Sequence, residues 1–393
     1  MNLDIFLTKQ CNMECEFCGA HVDTNPSKLT AKDVDKILNS GKKYGFRYTT
    51  FSGGEPLLYG ELKDALKFAA NNGFWVNITT NGLLINQEII DFLKGKNINL
   101  RVSLHTLNPR KHQEITKTNT FEKVVSNIKL LKKNKMYYSI GSTIYEENVD
   151  EIEDLIAFAF EQEAAFIRFT PVVGINKGEG HSIDSNFYKS TIKKIIEQTI
   201  KYKDYLHYKK NKREPNEEFL AMMTTRRCPA GSNLFMIVDS DKNLTPCQFI
   251  PKKDGYYIDL RNYDNLENNF ESLREKMNSH FKEGLTNGHN GICRNCNYIN
   301  TCQGSCLANR LPKGLTISDE QPICLYHIMK DLFEEVAKEN RQTLLNYWYY
   351  YYNQRITGKD KTKSCIRKLP IWEINFRMDK IRDLQFIDKE KEQ

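Results

Sequence analysis

Nothing in these 393 residues is apolar for long enough to cross a bilayer. The opening MNLDIFLTKQ has neither a basic stretch nor the unbroken apolar core of a secretory signal. Both absences point to the cytoplasm and away from a membrane. No segment repeats at solenoid length. The 57 Lys and Arg come without an aromatic–basic recognition motif, which excludes the usual nucleic-acid binders. A strong bias of charge is missing as well, since 50 Asp and Glu leave a net charge of only +7. Runs such as KKNKR at 209–213 read as solvated surface, and the small positive excess suits an acidic peptide as partner.

What the chain does have is cysteine, eleven of them. The cytosol keeps thiols reduced, so clustered cysteines there point to metal rather than to disulfides. They fall into two groups, one at the N-terminus and one in the C-terminal half.

From residue 2 to about 180, short β-rich runs alternate with amphipathic helices. Strands are expected near 3–8, 47–51, 74–79, 98–104, 137–144 and 165–173. Helices are expected near 31–43, 60–72, 86–94, 121–133 and 148–162. Thr30 and Asp33 have capping-box spacing before the first helix, and Gly45 follows it. Six such units predict a parallel α/β sheet, an open partial (β/α)6 TIM-like barrel, with reactive groups at the carboxyl ends of the strands. This core domain spans 1–180, and a helical bridge at 181–227 follows, its apolar positions Tyr188, Ile192, Ile195, Ile196 and Ile200. Regular periodicity fades from 228 to 324, where cysteines take over in a small cysteine-rich domain. A helical C-terminal extension at 325–393 contains NYWYYYYNQ, read as packing surface because six consecutive aromatics cannot share one helix face.

The first group, CNMECEFC at 11–18, is Cys-x3-Cys-x2-Cys directly after the first strand. Three thiolates on a short loop suit three irons of a cubane and leave the fourth iron open to a chelating small molecule. The other reading is a structural zinc completed by His21, and the spacing favours the first. FSGGEPLL at 51–58 ends the second strand, where glycines let backbone approach a ligand and Glu55 offers a carboxylate to an ammonium group.

On these motifs, residues 3 to about 175 resemble a radical S-adenosylmethionine (SAM) enzyme. The resemblance implies that Cys11, Cys15 and Cys18 hold a SAM-binding 4Fe-4S cluster and that Phe17 is the family's aromatic between the last two cysteines. It further implies that Gly53, Gly54 and Glu55 hold the methionyl amine, and that Ser103, Arg168 and Val172 contact other parts of the cofactor. Thr116 or Lys117 stands where relatives often carry an arginine for the SAM carboxylate.

The second group runs Cys293-x2-Cys296-x5-Cys302-x3-Cys306, with Cys228 and Cys247 ahead and Cys324 behind. A pair of zinc ribbons would be one ligand short. The order resembles a SPASM domain (228–324), a module of auxiliary clusters. Carried over, Cys293, Cys296, Cys302 and Cys324 hold a distal 4Fe-4S cluster, and Cys228, Cys247 and Cys306 hold one nearer SAM. The fourth ligand of the second is open, with Cys365 the only cysteine outside both motifs. Lys242 replaces the glycine usual in the turn before Cys247. Gln248 stands after Cys247, near where sulfatase-maturing relatives carry a basic aspartate, which argues against that reaction.

The resemblance implies an enzyme that cleaves SAM to a 5′-deoxyadenosyl radical and modifies a ribosomally synthesised peptide, closing a thioether or C–C cross-link. An acidic leader on the peptide and an electron donor such as a flavodoxin or ferredoxin go with this expectation. The first strand starts at residue 3, so leader capture is expected to use a separate protein or the bridge and tail. The alternatives are oxidation of a small molecule such as a porphyrin in haem synthesis, and a zinc-binding interaction protein.

Overall fold

The computed structural model describes residues 1–19, 26–174, 176–178, 181, 183–206, 224–225, 228, 235–250, 256–261, 265–304, 306–356 and 372–377. His21, the 209–213 run and Cys365 lie outside the described residues.

Six strands, β1 (Asn2–Thr8), β2 (Tyr48–Gly53), β3 (Trp75–Thr80), β4 (Ile98–Ser103), β5 (Tyr138–Ile144) and β6 (Phe166–Pro171), pair in parallel in sequence order. Helices α1 (Ala31–Tyr44), α2 (Leu62–Asn71), α3 (Gln87–Leu93), α4 (Pro109–Thr116), α5 (Phe121–Lys133) and α6 (Ile152–Glu161) connect them. This is the expected partial barrel, with α4 the one helix that the sequence reading lacked. Local chemistry explains the start of α1: the Thr30 hydroxyl accepts from Asp33 N–H, and the Asp33 carboxylate accepts from Thr30 N–H at 2.9 Å. Gly45, at φ 112°, closes that helix in the left-handed conformation.

β1 is buried on both faces. Leu3, Ile5 and Leu7 are fully covered within the main apolar core, while Asn2 and Asp4 are buried on the opposite face. Asp4, Thr50, Asn77 and Asn99 stand in cross-strand register, so a polar belt lines the inside of the sheet. Asn99 donates to Asn77 across it at 2.7 Å.

The sheet continues at both edges. β7 (Phe235–Val238) adds in parallel to β1, and β8 (Asn243–Thr245) and β9 (Ile258–Asp259) follow antiparallel. The cysteine-rich segment therefore starts on the sheet of the core. At the far edge β10 (Glu373–Asn375), from the C-terminal extension, pairs antiparallel with β6 and gives ten strands.

The bridge helix α7 (Ser185–Lys201) buries Tyr188, Ile192, Ile195 and Ile196 as expected. The fading periodicity expected after 228 needs correction, because α8 (Leu266–Asn287) is a helix of 22 residues there. Helices α9 (Leu325–Glu335) and α10 (Lys338–Ile356) form the extension, and Tyr347 and Trp348 are buried in the core, in keeping with packing surface. Lys242 does adopt the turn's left-handed backbone, at φ 63°, and its ammonium pairs with Asp33 at 2.8 Å. Among the described residues no helix is long and apolar enough to cross a membrane.

Candidate active site

Cys11, Cys15 and Cys18 lie on the loop that leaves the carboxyl end of β1. Two neighbours pin this loop by backbone hydrogen bonds. On one side Gly54 N–H reaches Thr8 O and Glu55 N–H reaches Gln10 O, both at 2.7 Å. On the other, Glu14 N–H and Glu16 N–H reach Thr116 O and Ile115 O at the end of α4, both at 3.0 Å. The glycines serve the first of these contacts. A Cβ on Gly53, at φ 128°, would meet Thr8 O at 2.3 Å, and one on Gly54 would meet Gln10 O at 2.1 Å.

Glu55 has partners of its own within the fold. Its carboxylate is 0% exposed, accepting from Leu57 N–H at 2.9 Å, the Thr80 hydroxyl at 2.7 Å and Asn81 N–H at 2.7 Å. Burial raises its pKa against those three donors. The side chain ties the end of β2 to β3. Arg168 is also engaged within the fold: its guanidinium is buried on β6, pairs with the fully buried Glu373 of β10 and lies over the Phe166 ring. Thr116 gives its hydroxyl to His112 O at 2.8 Å, and Lys117 sits 3.5 Å from Glu16.

Other expected residues do converge. Phe17 stacks edge-on against His105 and Tyr145, with ring centroids 4.7 and 5.4 Å away. Phe17, Tyr145, Ile115, Val172 and Ile183 form one small apolar cluster beside the cysteine loop. Ser103 is half-buried at the carboxyl end of β4. Three neighbours escaped the sequence reading. Tyr145 donates to Glu16 at 2.7 Å, and the charge of exposed Lys177 weakly opposes the burial that raises the Cys15 thiol. His105 stands two residues beyond Ser103, and that period-two spacing was the available signal.

His105 accepts from Thr143 N–H on Nδ1 at 3.0 Å, so the neutral ring carries its proton on Nε2. Burial first, then His112, pulls its pKa from 6.5 to about 3. Between those values the unfolded chain binds a proton that the native ring refuses, so stability falls as pH drops. Going from pH 7 to pH 5 is expected to cost about 2 kcal/mol through this ring. Urea denaturation of wild type and His105→Gln at both pH values checks this, and equal pH slopes for the two would contradict it.

The thiols sort into three neighbourhoods. Cys15 is pushed up to about 12, by burial first and then by Cys18 and Cys11. Cys302 is pushed up to about 12 by burial, then by Cys324 and Cys293, and Cys324 is raised by burial with Cys293 and Cys296 adding to it. Cys306 is raised by its hydrogen bond to Cys228, then by burial and the charges of Cys228 and Cys247. In each neighbourhood the charges of nearby thiols add to these shifts. They are neighbours and not a closed cage, since no metal-ligand group of three His, Cys, Asp or Glu forms among the described residues. Crowded, buried thiols of this kind ionise only when a cation joins them, and the all-sulfur donor set fits iron–sulfur clusters. Cys324 stands at the N-cap position of α9, where the backbone N–H groups of His327 and Tyr326 partly offset the burial that raises its thiol.

A family model described as the Radical SAM superfamily matches residues 5–159. The cysteine-type anaerobic sulfatase-maturating enzyme of Clostridium novyi is 23% identical over 358 residues, spanning 84% of this chain and 92% of that protein. The AdoMet-dependent heme synthase of Methanosarcina barkeri is 25% identical over 342 residues, with 81% and 95% covered. Among solved structures, Streptococcus suis SuiB bound to S-adenosylmethionine aligns with a TM-score of 0.65 at 19% identity, covering 82% of this chain and 76% of that one. The anSMEcpe structure with bound AdoMet and Cp18Cys peptide also scores 0.65, at 17% identity, with 88% and 98% covered. At these identities the structural likeness is one of fold.

Proposed function

We propose, from the premise that residues 5–159 make this chain an enzyme of the radical SAM superfamily, that it modifies a ribosomally synthesised peptide by C–H abstraction. The product is a thioether or C–C cross-link. SAM with a 4Fe-4S cluster on Cys11, Cys15 and Cys18 would supply the 5′-deoxyadenosyl radical, which can take hydrogen from an unactivated C–H bond. The chain's own part is to hold and shield. Gly53, Gly54 and Glu55 fix the cysteine loop, and the Phe17, Tyr145 and Val172 cluster offers an apolar surface for a flat base. Ser103 and His105 offer polar groups beside it at the end of β4.

The observation that carries the reading is the second set of thiols, four and three in two neighbourhoods. A cross-link removes two hydrogens from the peptide. One leaves as a hydrogen atom to the deoxyadenosyl carbon, the other as a proton and an electron, and the electron needs an acceptor. Cys293, Cys296, Cys302 and Cys324, with Cys228, Cys247 and Cys306, would hold two auxiliary 4Fe-4S clusters for that purpose. Similarity to a sulfatase-maturating enzyme and the fold of the peptide-bound anSMEcpe structure support a polypeptide substrate. Gln248, exposed beside Cys247, argues against the sulfatase reaction itself, because a neutral amide takes no proton at neutral pH. The net charge of +7 suits an acidic leader, captured by a separate protein or by the bridge and tail, with a flavodoxin or ferredoxin as electron donor in the cytoplasm.

Similarity to a heme synthase supports a second reading, oxidation of a porphyrin side chain. Coexpression with a short cysteine- or aromatic-containing peptide encoded beside the gene separates the two. The first reading predicts a peptide lighter by about 2 Da, the mass of two hydrogens lost in the radical chemistry. An unchanged peptide together with an altered porphyrin would overturn it in favour of the second.

A further inference from the structure

Arg310 is fully buried, in the loop between Cys306 and Cys324. Its polar contact among the described residues is Nη1 to Ile317 O at 3.4 Å, while Nε and Nη2 have no partner. The imidazoles near it, His280 and His289, have lowered pKa values, by burial first and, less, by the charge of Arg310, while Glu283 opposes the shift at His280. Burying a guanidinium with so little compensation costs several kcal/mol, and a fold keeps such a group where anionic charge meets it.

Charge of that sign is at hand in the thiols. Cys293, Cys302 and Cys306 are the main electrostatic neighbours opposing the burial of Arg310, ahead of Asp319. These belong to both thiol neighbourhoods of the cysteine-rich segment. Space for the guanidinium comes from the same segment, since a Cβ on Gly304, at φ 78°, would sit 2.2 Å from Nη1. Buried Gln321 fixes that turn, donating to Gly304 O at 2.9 Å. Glycine between Cys302 and Cys306 thus opens the cradle that the cation fills.

We propose that Arg310 is a positioning residue shared by the two auxiliary iron–sulfur sites, compensating the thiolate charge of both and raising both reduction potentials. The proposal rests on the reading that those seven thiols hold two clusters. A thiolate-bound cluster gains negative charge on reduction, so a fixed cation beside it favours the reduced form, as hydrogen bonds to its sulfurs also do. A cation between two such sites also ties their potentials together, and an electron entering one changes the balance felt by the other.

The test uses the full chain with Cys11, Cys15 and Cys18 replaced by alanine, so that only auxiliary signals remain, reconstituted anaerobically. Redox titration followed by electron paramagnetic resonance compares Arg310, Arg310→Lys and Arg310→Met. Arg310→Met should move both couples to more negative potential by at least a tenfold change in the one-electron equilibrium, about 59 mV. Arg310→Lys keeps the charge and should shift less. Wild-type potentials in a fully loaded Arg310→Met would overturn the proposal. If Arg310→Met fails to load, a loaded Arg310→Lys near wild-type potential supports the charge role, and an unloaded one contradicts it. Absence of auxiliary iron in the Arg310 parent would instead sink the cluster reading itself, a separate outcome.

Discussion

Replacing Cys11, Cys15 and Cys18 together by alanine is expected to abolish 5′-deoxyadenosine formation while the protein stays folded. The three side chains sit part-buried on a loop, and the anchors of that loop are backbone groups that alanine leaves in place, from Thr8 O and Gln10 O to Ile115 O and Thr116 O. Losing the thiols there removes little packing. On the proposed reading each thiol supplies one ligand, so any single replacement should be nearly as severe as all three. Iron should fall by about a third, from roughly twelve atoms to eight, because the other seven thiols are untouched. Reverse-phase chromatography of anaerobic reactions with dithionite checks the first part. Unchanged 5′-deoxyadenosine would remove this loop from the chemistry.

The second large effect lies at the far edge of the sheet. Glu373→Ala is expected to lower the unfolding free energy by about 3–5 kcal/mol, because it strands Arg168 as an unpaired buried charge. Tyr347 donates to Glu373 O at 2.8 Å and accepts from Asn375 N–H at 2.9 Å, so β10 hangs between α10 and β6. An Arg168→Met, Glu373→Leu double variant should recover most of the loss, since well-packed apolar side chains replace a buried pair at little cost. Urea denaturation of the three proteins reads this directly. If Glu373→Ala keeps its stability but weakens SAM binding, Arg168 is free to serve the cofactor and the pairing is incidental.

These two cases also mark how far the sequence could be read. The cysteine loop, the glycine turn and the capping box are local patterns, each legible because a few adjacent residues fix the geometry. The thiol partition is carried over from the resemblance, which itself rests on the order and spacing of the cysteines. Glu373 and Arg168 are 205 residues apart, and no local pattern announces that one will meet the other. β7 to β10 have two to four residues each, too few for a period to register. α8 had a usable signal that went unread. Asn265 caps it, and Leu266, Phe270, Leu273, Met277 and Phe281 are buried at helical spacing, but the stripe is narrow and cysteines flank the segment. Glu55 shows a different limit. Residue type and position suggest an ammonium ligand, and no local pattern announces the three donors that its buried carboxylate meets within the fold.

The central claim is that three thiol neighbourhoods each hold an iron–sulfur cluster. Anaerobic reconstitution followed by metal and sulfide analysis with Mössbauer spectroscopy tests it most directly. The account predicts about twelve irons and a matching amount of sulfide per chain, in cubane environments of which one changes on adding SAM. A colourless protein holding two or so zinc ions would contradict it.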